Sequence, residues 1–181
     1  MSNSEYTLYS GGLKGAEQLF GELAEANGIN EVTFSFEGHK LSREKNVKVL
    51  TEAELSRGHI SMEIISTKMG RKYAHAGTIR KVFQLLFHMV NKGYQVFSVG
   101  WLQENGTVRG GTGWGIELAK FFGRPVSVFD LKENQWFTWQ SAAWVEDTPV
   151  ISHKTFCGTG TRNITEEGRK AIEDLFARSF K

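Results

Sequence analysis

The glycines of this sequence constrain its fold more than any other feature. The chain holds 20 glycines against two prolines, and many of the glycines cluster where a predicted strand ends. Two clusters, at residues 10–15 and 109–113, lie between a strand and a helix, and a third covers residues 158–162. Parallel strands need long crossovers, usually helices, so this alternation predicts βαβ units. We therefore expect an α/β fold, a Rossmann-like three-layer sandwich with a mostly parallel central sheet.

The hydrophobic pattern divides the chain into short strands and amphipathic helices. Apolar or alternating runs predict strands over residues 5–10, 31–37, 94–102 and 125–131, with residues 135–140 returning beside the last one as a hairpin. Apolar residues at helical spacing predict helices at residues 16–24, 79–90 and 171–176, one from the second glycine cluster to Phe122, and one or two within residues 51–69. Residues 156–162 are predicted to form a third glycine-rich turn.

The composition predicts one domain spanning residues 1–181. Hydrophobic residues make up 40% and charged residues 23%, which is ordinary for a globular protein. The sequence has no run of about eighteen apolar residues, and residues 1–12 lack the pattern of a secretion signal, so we expect neither a membrane span nor a leader. The single cysteine, Cys157, cannot form an internal disulfide, which favours the cytoplasm. A net charge of +2 is too small to indicate a nucleic-acid partner.

The first glycine cluster combines a buried turn with one cation: Ser10, Gly11, Gly12, Lys14 and Gly15. Glycine lets the backbone approach a ligand closely, and free amides at a helix start attract an anion. Lys14 would add a positive charge beside a phosphate. A tight turn with only a packing role explains the same glycines, and the spacing matches neither the Walker pattern nor the dinucleotide fingerprint.

The second cluster predicts an anion-binding nest at a helix start: Arg109, Gly110, Gly111, Thr112 and Gly113. Trp114, which follows it, either stacks on a base or seals the core. Glu117 lies one helical turn past the nest. It is either an ordinary first-turn acid, or an acceptor for a ribose hydroxyl or a general acid/base.

The third cluster adds another arginine to the candidate site: Gly158, Thr159, Gly160, Thr161 and Arg162. The guanidinium of Arg162 would bind a phosphate in a forked geometry, or the segment is a surface turn before the last helix. His39 follows the second strand, where site residues collect in this architecture, although a lone histidine is more often structural. The other histidines show no metal-ligand spacing, so we expect no metal and no cofactor.

Turns that follow parallel strands open at the same edge of a sheet. In doubly wound folds the ligand binds in the crevice at that edge, where the strand order reverses. Two separate nests at this edge therefore predict one joint site for a phosphate and a sugar.

Four separated motifs resemble the SLOG superfamily. They cover residues 9–16, 35–39, 110–114 and 158–162, with the sequences YSGGLKGA, SFEGH, GGTGW and GTGTR. The similarity extends to the C-terminus and is greatest to small stand-alone proteins related to YpsA and DprA. The resemblance implies a Rossmann-like fold that binds nucleotides or nucleotide-derived signals through its glycine-rich loops. Some members sense cyclic ADP-ribose-type messengers in bacterial antiphage defence, and some small phage proteins sequester such messengers.

The LOG enzymes of this superfamily hydrolyse the N-glycosidic bond of nucleoside monophosphates. Their motif consists of two glycines, any residue, Gly-Thr, two residues and a catalytic glutamate. Gly110, Gly111, Gly113 and Glu117 fall on this pattern, while Trp114 replaces the threonine. The second LOG element is an arginine-lysine pair ahead of the strand, for which Arg80-Lys81 is the best match.

These observations predict a protein that senses or sequesters a phosphate-bearing, nucleotide-derived small molecule, of which cyclic ADP-ribose-type signals are the example that the resemblance supplies. The alternative is a LOG-like phosphoribohydrolase with Glu117 as the catalytic acid/base. A DNA-processing role of the DprA kind is a third hypothesis, against which the weak basicity counts. Expected exposed strand edges and the many Phe and Trp side chains predict a homo-oligomer.

Overall fold

Within residues 2–181, which the computed structural model describes, the chain forms eight strands and six helices. The strands are β1 (Thr7–Ser10), β2 (Asn30–Phe36), β3 (Val47–Leu50), β4 (Gln95–Gly100), β5 (Val126–Asp130), β6 (Gln135–Gln140), β7 (Ala143–Glu146) and β8 (Thr155–Gly160). The helices are α1 (Ala16–Ala26), α2 (Glu52–Ser56), α3 (His59–Met69), α4 (Gly77–Gly93), α5 (Thr112–Phe121) and α6 (Glu166–Ser179).

All eight strands belong to one sheet, in the order β3-β2-β1-β8-β4-β5-β6-β7. The pairs from β3 to β5 are parallel, and only β6 and β7 run antiparallel to their neighbours. From β1 the chain moves outward through β2 to β3, whereas from β4 it moves the other way to β5. The strand order therefore reverses around β8, which lies between β1 and β4.

Helices cover both faces of the sheet and give it three layers. On one face α1 and α6 pack on a core that includes Phe20, Phe97 and Phe176. On the other face α2 to α5 enclose a second core, with Met62 and Met89 among its buried residues. Because β4 is buried on both faces, its sequence is nearly continuously apolar rather than alternating. The predicted Rossmann-like sandwich with a mostly parallel sheet is confirmed.

The helix ends follow local capping chemistry. The side chain of Thr165 accepts a hydrogen bond from the amide of Gly168, so Thr165 caps the last helix. Thr51 and Glu54 form a reciprocal capping box at α2. The predicted helical segment at residues 51–69 therefore forms two helices, α2 and α3. Among the helices of residues 2–181, none has the length and apolar character needed to cross a bilayer.

The prediction of a glycine-rich turn over residues 156–162 is wrong, because most of this segment is the central strand β8. Its glycines serve close packing. A Cβ at Gly158 would overlap the ring of Phe20, and one at Gly160 would lie 2.6 Å from the carbonyl oxygen of Val99. Two edge strands, β3 and β7, were not predicted from the sequence; each is only four residues long. The hairpin of β5 and β6 is confirmed.

We expect Gly158→Ala to destabilise the protein, since the added methyl group must displace the ring of Phe20 inside a closed core. Overpacking of this kind costs roughly 1–3 kcal/mol, measurable as a lower free energy of unfolding in urea. Gly111→Ala is the matched control, because a Cβ there meets only a Phe83 ring carbon at 3.8 Å. Equal stability of the two variants would contradict the packing that we assign to β8.

Candidate functional site

A cavity of about 410 Å³, called here the central cavity, opens at the carboxyl ends of β1, β8 and β4. Its wall comes from the turn after β1, the ends of β4 and β8, the start of α5, and Val82 and Leu86 of α4. This is the point where the strand order reverses, and ligands of open α/β sheets bind at such a point. The topology therefore places the cavity where this class of fold binds its ligands.

Two of the three glycine clusters meet at this cavity. The second contributes Arg109, Gly110, Gly111 and Thr112, and the third contributes Thr159, Gly160, Thr161 and Arg162. The segments come from positions about fifty residues apart along the chain, and adjacency of β4 and β8 brings them together. Eight of the residues that the sequence singles out thus line one cavity.

The start of α5 presents unpaired backbone amides. In the described part of the chain, no hydrogen bond from the amides of Gly110, Gly111 or Thr112 is formed, whereas the amide of Arg109 donates to the carbonyl of Trp101. Gly110 has a φ of 73°, in the left-handed region that glycine adopts without strain. Free amides and the helix dipole together make this end of α5 electropositive.

Two guanidinium groups stand beside these amides. Arg109 lies over the ring of Trp101, 4.2 Å from the ring centre, and both side chains line the cavity. Within residues 2–181, the side chain of Arg162 makes neither an ion pair nor a hydrogen bond. The rim of the central cavity therefore carries positive charge that the protein does not neutralise by contact.

The first glycine cluster contributes to the site in a different way, because its amides hold a carboxylate of the protein itself. Oε1 of Glu17 accepts hydrogen bonds from the amides of Gly11 (3.1 Å) and Leu13 (3.3 Å), and Oε2 accepts one from the hydroxyl of Thr159 (2.9 Å). The amide of Gly12 donates to Oγ of Ser10. The group that these amides bind is thus the carboxyl group of Glu17, which was not predicted from the sequence as a site residue.

Glu17 lies on the wall of the central cavity and is only 4% exposed. Burial raises the pKa of its carboxyl above the ordinary value of 4.5, although the hydrogen bonds to Thr159, Leu13 and Gly11 act in the opposite direction. A carboxyl in such a place binds a hydroxyl or an N–H group of a ligand, or exchanges a proton with it. In the sequence, Glu17 is only an acid in the first turn of a helix, a position that the helix dipole explains without a site.

Arg71 fixes the loop that leads into α5. Its guanidinium donates to the carbonyls of Gly110 (3.0 Å) and Val108 (3.2 Å), and to the side chains of Gln103 (2.9 Å) and Thr107 (3.2 Å). Four contacts from one planar group hold the loop in one conformation. Arg71 is separated from this loop by more than thirty residues, so no local pattern in the sequence indicates the role.

Trp114 and Glu117 do not line the central cavity. Trp114 is buried in the core and stacks on Phe83, with ring centres 4.4 Å apart. The Glu117 carboxylate forms an ion pair with Nζ of Lys120 at 2.7 Å. Lys120 in turn lies over the Trp139 ring. Trp114 therefore packs in the core, and Glu117 pairs with a lysine. The tryptophan on the cavity wall is Trp101.

Lys14 and Gly15 line a neighbouring depression of about 430 Å³, called here the side groove, together with Arg162, Asn163 and Arg169. The remaining sequence candidates line neither cavity. They belong to the turn after β1, the β2 end, the start of α5 and β8: Ser10, Gly11, Gly12, His39, Gly113 and Gly158.

His39 is held beside the site by its own neighbours. Its Nδ1 lies 3.1 Å from Oγ of Ser35, and its ring stacks on Phe36 at 4.5 Å. Burial, and to a lesser degree the charge of Arg162, lowers the pKa of His39, so the imidazole is neutral at physiological pH.

Metal and thiol chemistry find no support in the described part of the chain. Residues 2–181 contain no group of three or more His, Cys, Asp or Glu side chains placed to hold a metal ion. Cys157 is fully buried, and burial raises the pKa of its thiol, which keeps it protonated and unreactive.

Comparison with protein-family models, with curated proteins and with solved structures gave no match for this chain.

We expect the stability difference between Glu17→Gln and the wild type to depend on pH. The folded protein holds the Glu17 proton more tightly than the unfolded chain, so the stability linked to this group is fully present below pH 4.5 and is lost as the pH rises through the raised pKa. Glutamine keeps the shape and does not ionise. The stability of the wild type relative to the variant should therefore fall as the pH rises from about 4.5 to 8.

Urea unfolding across this pH range measures the difference. Glu133→Gln, at an exposed position outside both depressions, is the control for the chemical change itself. A wild type whose stability relative to Glu17→Gln stays constant or increases as the pH rises would contradict the raised pKa of Glu17.

Proposed function

We propose that this chain binds a phosphate-bearing, nucleotide-derived small molecule in the central cavity and holds it without cleaving it. The observation that carries the proposal is the meeting of unpaired amides and two arginines at the reversal of strand order. A volume of about 410 Å³ lies in the range of small-molecule sites, roughly 300–1,000 Å³.

In this proposal the phosphate binds at the start of α5. The amides of Gly110, Gly111 and Thr112 donate to its oxygens, and the helix dipole favours its negative charge. Arg109 and Arg162 supply charge-assisted hydrogen bonds from the rim. Arg71 preorganises the loop, which lowers the entropy cost of binding.

The nucleoside part occupies the rest of the cavity. Glu17 and Thr159 offer polar groups to ribose hydroxyls, while Leu13, Val82 and Leu86 offer apolar surface to a base. The electropositive rim and the acidic wall suit a ligand with an anionic end and a hydroxyl-bearing end. This division of charge is what distinguishes a nucleotide from inorganic phosphate.

Retention without cleavage is favoured by the position of the carboxylates. The LOG-like alternative needs the Glu117 carboxylate at the ligand, but Glu117 pairs with Lys120 and does not line the cavity. Within the described chain, Glu17 is the one carboxylate on the cavity wall. The glutamate that the LOG motif requires is therefore not on the cavity wall, which favours retention over cleavage.

The resemblance to the SLOG superfamily supports a signalling nucleotide as the ligand, with cyclic ADP-ribose-type molecules of antiphage defence as candidates. Location in the cytoplasm and assembly into a homo-oligomer remain predictions. For the latter, the open sheet edges carry exposed valines, Val47 and Val49 on β3 and Val145 on β7.

We expect Gly111→Asp to abolish nucleotide binding while the fold persists. The φ of Gly111 is −63°, an ordinary helical value, and the space beside it is open, so a side chain is tolerated. An aspartate there places a negative charge beside the phosphate, which should weaken binding by about tenfold or more. Calorimetric titration with ribonucleoside 5′-monophosphates, ADP-ribose and cyclic ADP-ribose measures the loss.

Gly111→Asn is the matched control, since it has the same size without the charge and should retain more of the affinity. Equal affinities of the two variants would remove the start of α5 from the site. Ligand released from the wild type by denaturation should be chemically intact. Recovery of free base would show that the protein hydrolyses the ligand instead of retaining it.

A further inference from the structure

The side groove adjoins the central cavity rather than standing apart from it. The two depressions share part of their walls, since Arg162 and Asn163 line both. The groove extends from there between the start of α1, at Lys14 and Gly15, and the first turns of α6, at Arg169. Arg162 and Asn163 thus lie between two neighbouring depressions.

Three cations line the side groove: Lys14, Arg162 and Arg169. Within residues 2–181, none of these side chains lies within 4.0 Å of a carboxylate oxygen, and none donates a hydrogen bond to the protein. One acid opposes them, Glu22, whose carboxylate accepts a hydrogen bond from Nε2 of Gln18 at 3.2 Å. The groove thus has three positive charges against one negative charge.

The groove differs from the central cavity in the chemistry of its wall. Most of its lining is charged or amide-bearing, whereas the central cavity offers the apolar surface of Leu13, Val82 and Leu86. A base would gain little in the groove. A compact anion would gain several charge-assisted hydrogen bonds.

We propose that the ligand carries a second, separate phosphoryl group, and that the side groove binds it, with Arg162 between the two phosphates. The ligand class is then a nucleotide with phosphates on two different positions, such as a nucleoside bisphosphate, rather than a nucleoside monophosphate. This inference rests on the proposed function, because it assumes a nucleotide in the central cavity.

Joining the second phosphate to the first through a sugar makes its binding intramolecular. Its effective concentration at the groove then exceeds what a free anion in solution reaches, and its affinity adds to that of the first phosphate. An independent anion site would show no such gain. The gain from the second phosphate is therefore the quantity to measure.

The probes are the common ribonucleoside 5′-monophosphates and the corresponding 2′,5′- and 3′,5′-bisphosphates, titrated calorimetrically into the wild-type chain. We expect at least one bisphosphate to bind about tenfold more tightly than its monophosphate, and the gain to shrink at high salt. In Arg169→Gln and Lys14→Gln the gain should fall to about twofold or less. In Glu22→Gln, which removes the opposing charge, it should increase.

Lys92→Gln is the matched control, since it removes the same charge from the last turn of α4 and should leave the gain unchanged. A monophosphate that binds as tightly as its bisphosphates overturns the inference and leaves the proposed function standing. A gain that survives in both groove variants also overturns it. Absence of binding by these probes, when ADP-ribose or cyclic ADP-ribose does bind, overturns the inference alone. Absence of binding by all of these nucleotides overturns the proposed function, and the inference with it.

Discussion

The insertion of β8 between β1 and β4 is the constraint on which the site depends. Without it, the turns after β1 and β4 would not share a crevice with the segment that carries Thr159 and Arg162. This insertion requires small residues, because α1 packs directly on the strand. Gly158 lies under the ring of Phe20, and Gly160 approaches both Ala16 and the carbonyl of Val99. The glycines of β8 therefore place the site by packing, not by forming a turn.

The hydrogen bonds of Glu17 link that strand to the first turn. The side chain reaches from the start of α1 to Thr159 of β8 and to the amides of Gly11 and Leu13. Three donors compensate a carboxyl that is buried at the wall of a cavity, where an unpartnered one would be costly. The first and second glycine clusters therefore have different roles. The first holds an internal carboxylate, and the start of α5 keeps its amides free.

Much of the fold follows from the sequence, because hydrophobic periodicity and strand-to-helix turns are local signals. The order of the parallel strands is not a local property. The strand β8 could not be predicted from the sequence, because Gly158 and Gly160 are residues typical of a turn. Glu17 was missed for a related reason. Its position in the first turn of a helix is ordinary, and only the tertiary structure reveals its burial and its bond to Thr159. Trp101 and Trp114 show the same limit, since the sequence does not distinguish a cavity wall from a core.

The proposed function requires an anionic ligand group to bind at the start of α5, while Glu17 keeps its hydrogen bonds in the turn after β1. Backbone amide chemical shifts, followed by NMR during titration with a nucleotide that binds, test this most directly. We expect the largest changes at Gly110, Gly111 and Thr112, and small ones at Gly11 and Leu13, whose amides remain bonded to Glu17. Large shift changes at Gly11 and Leu13, together with unchanged shifts at Gly110, Gly111 and Thr112, would contradict this assignment.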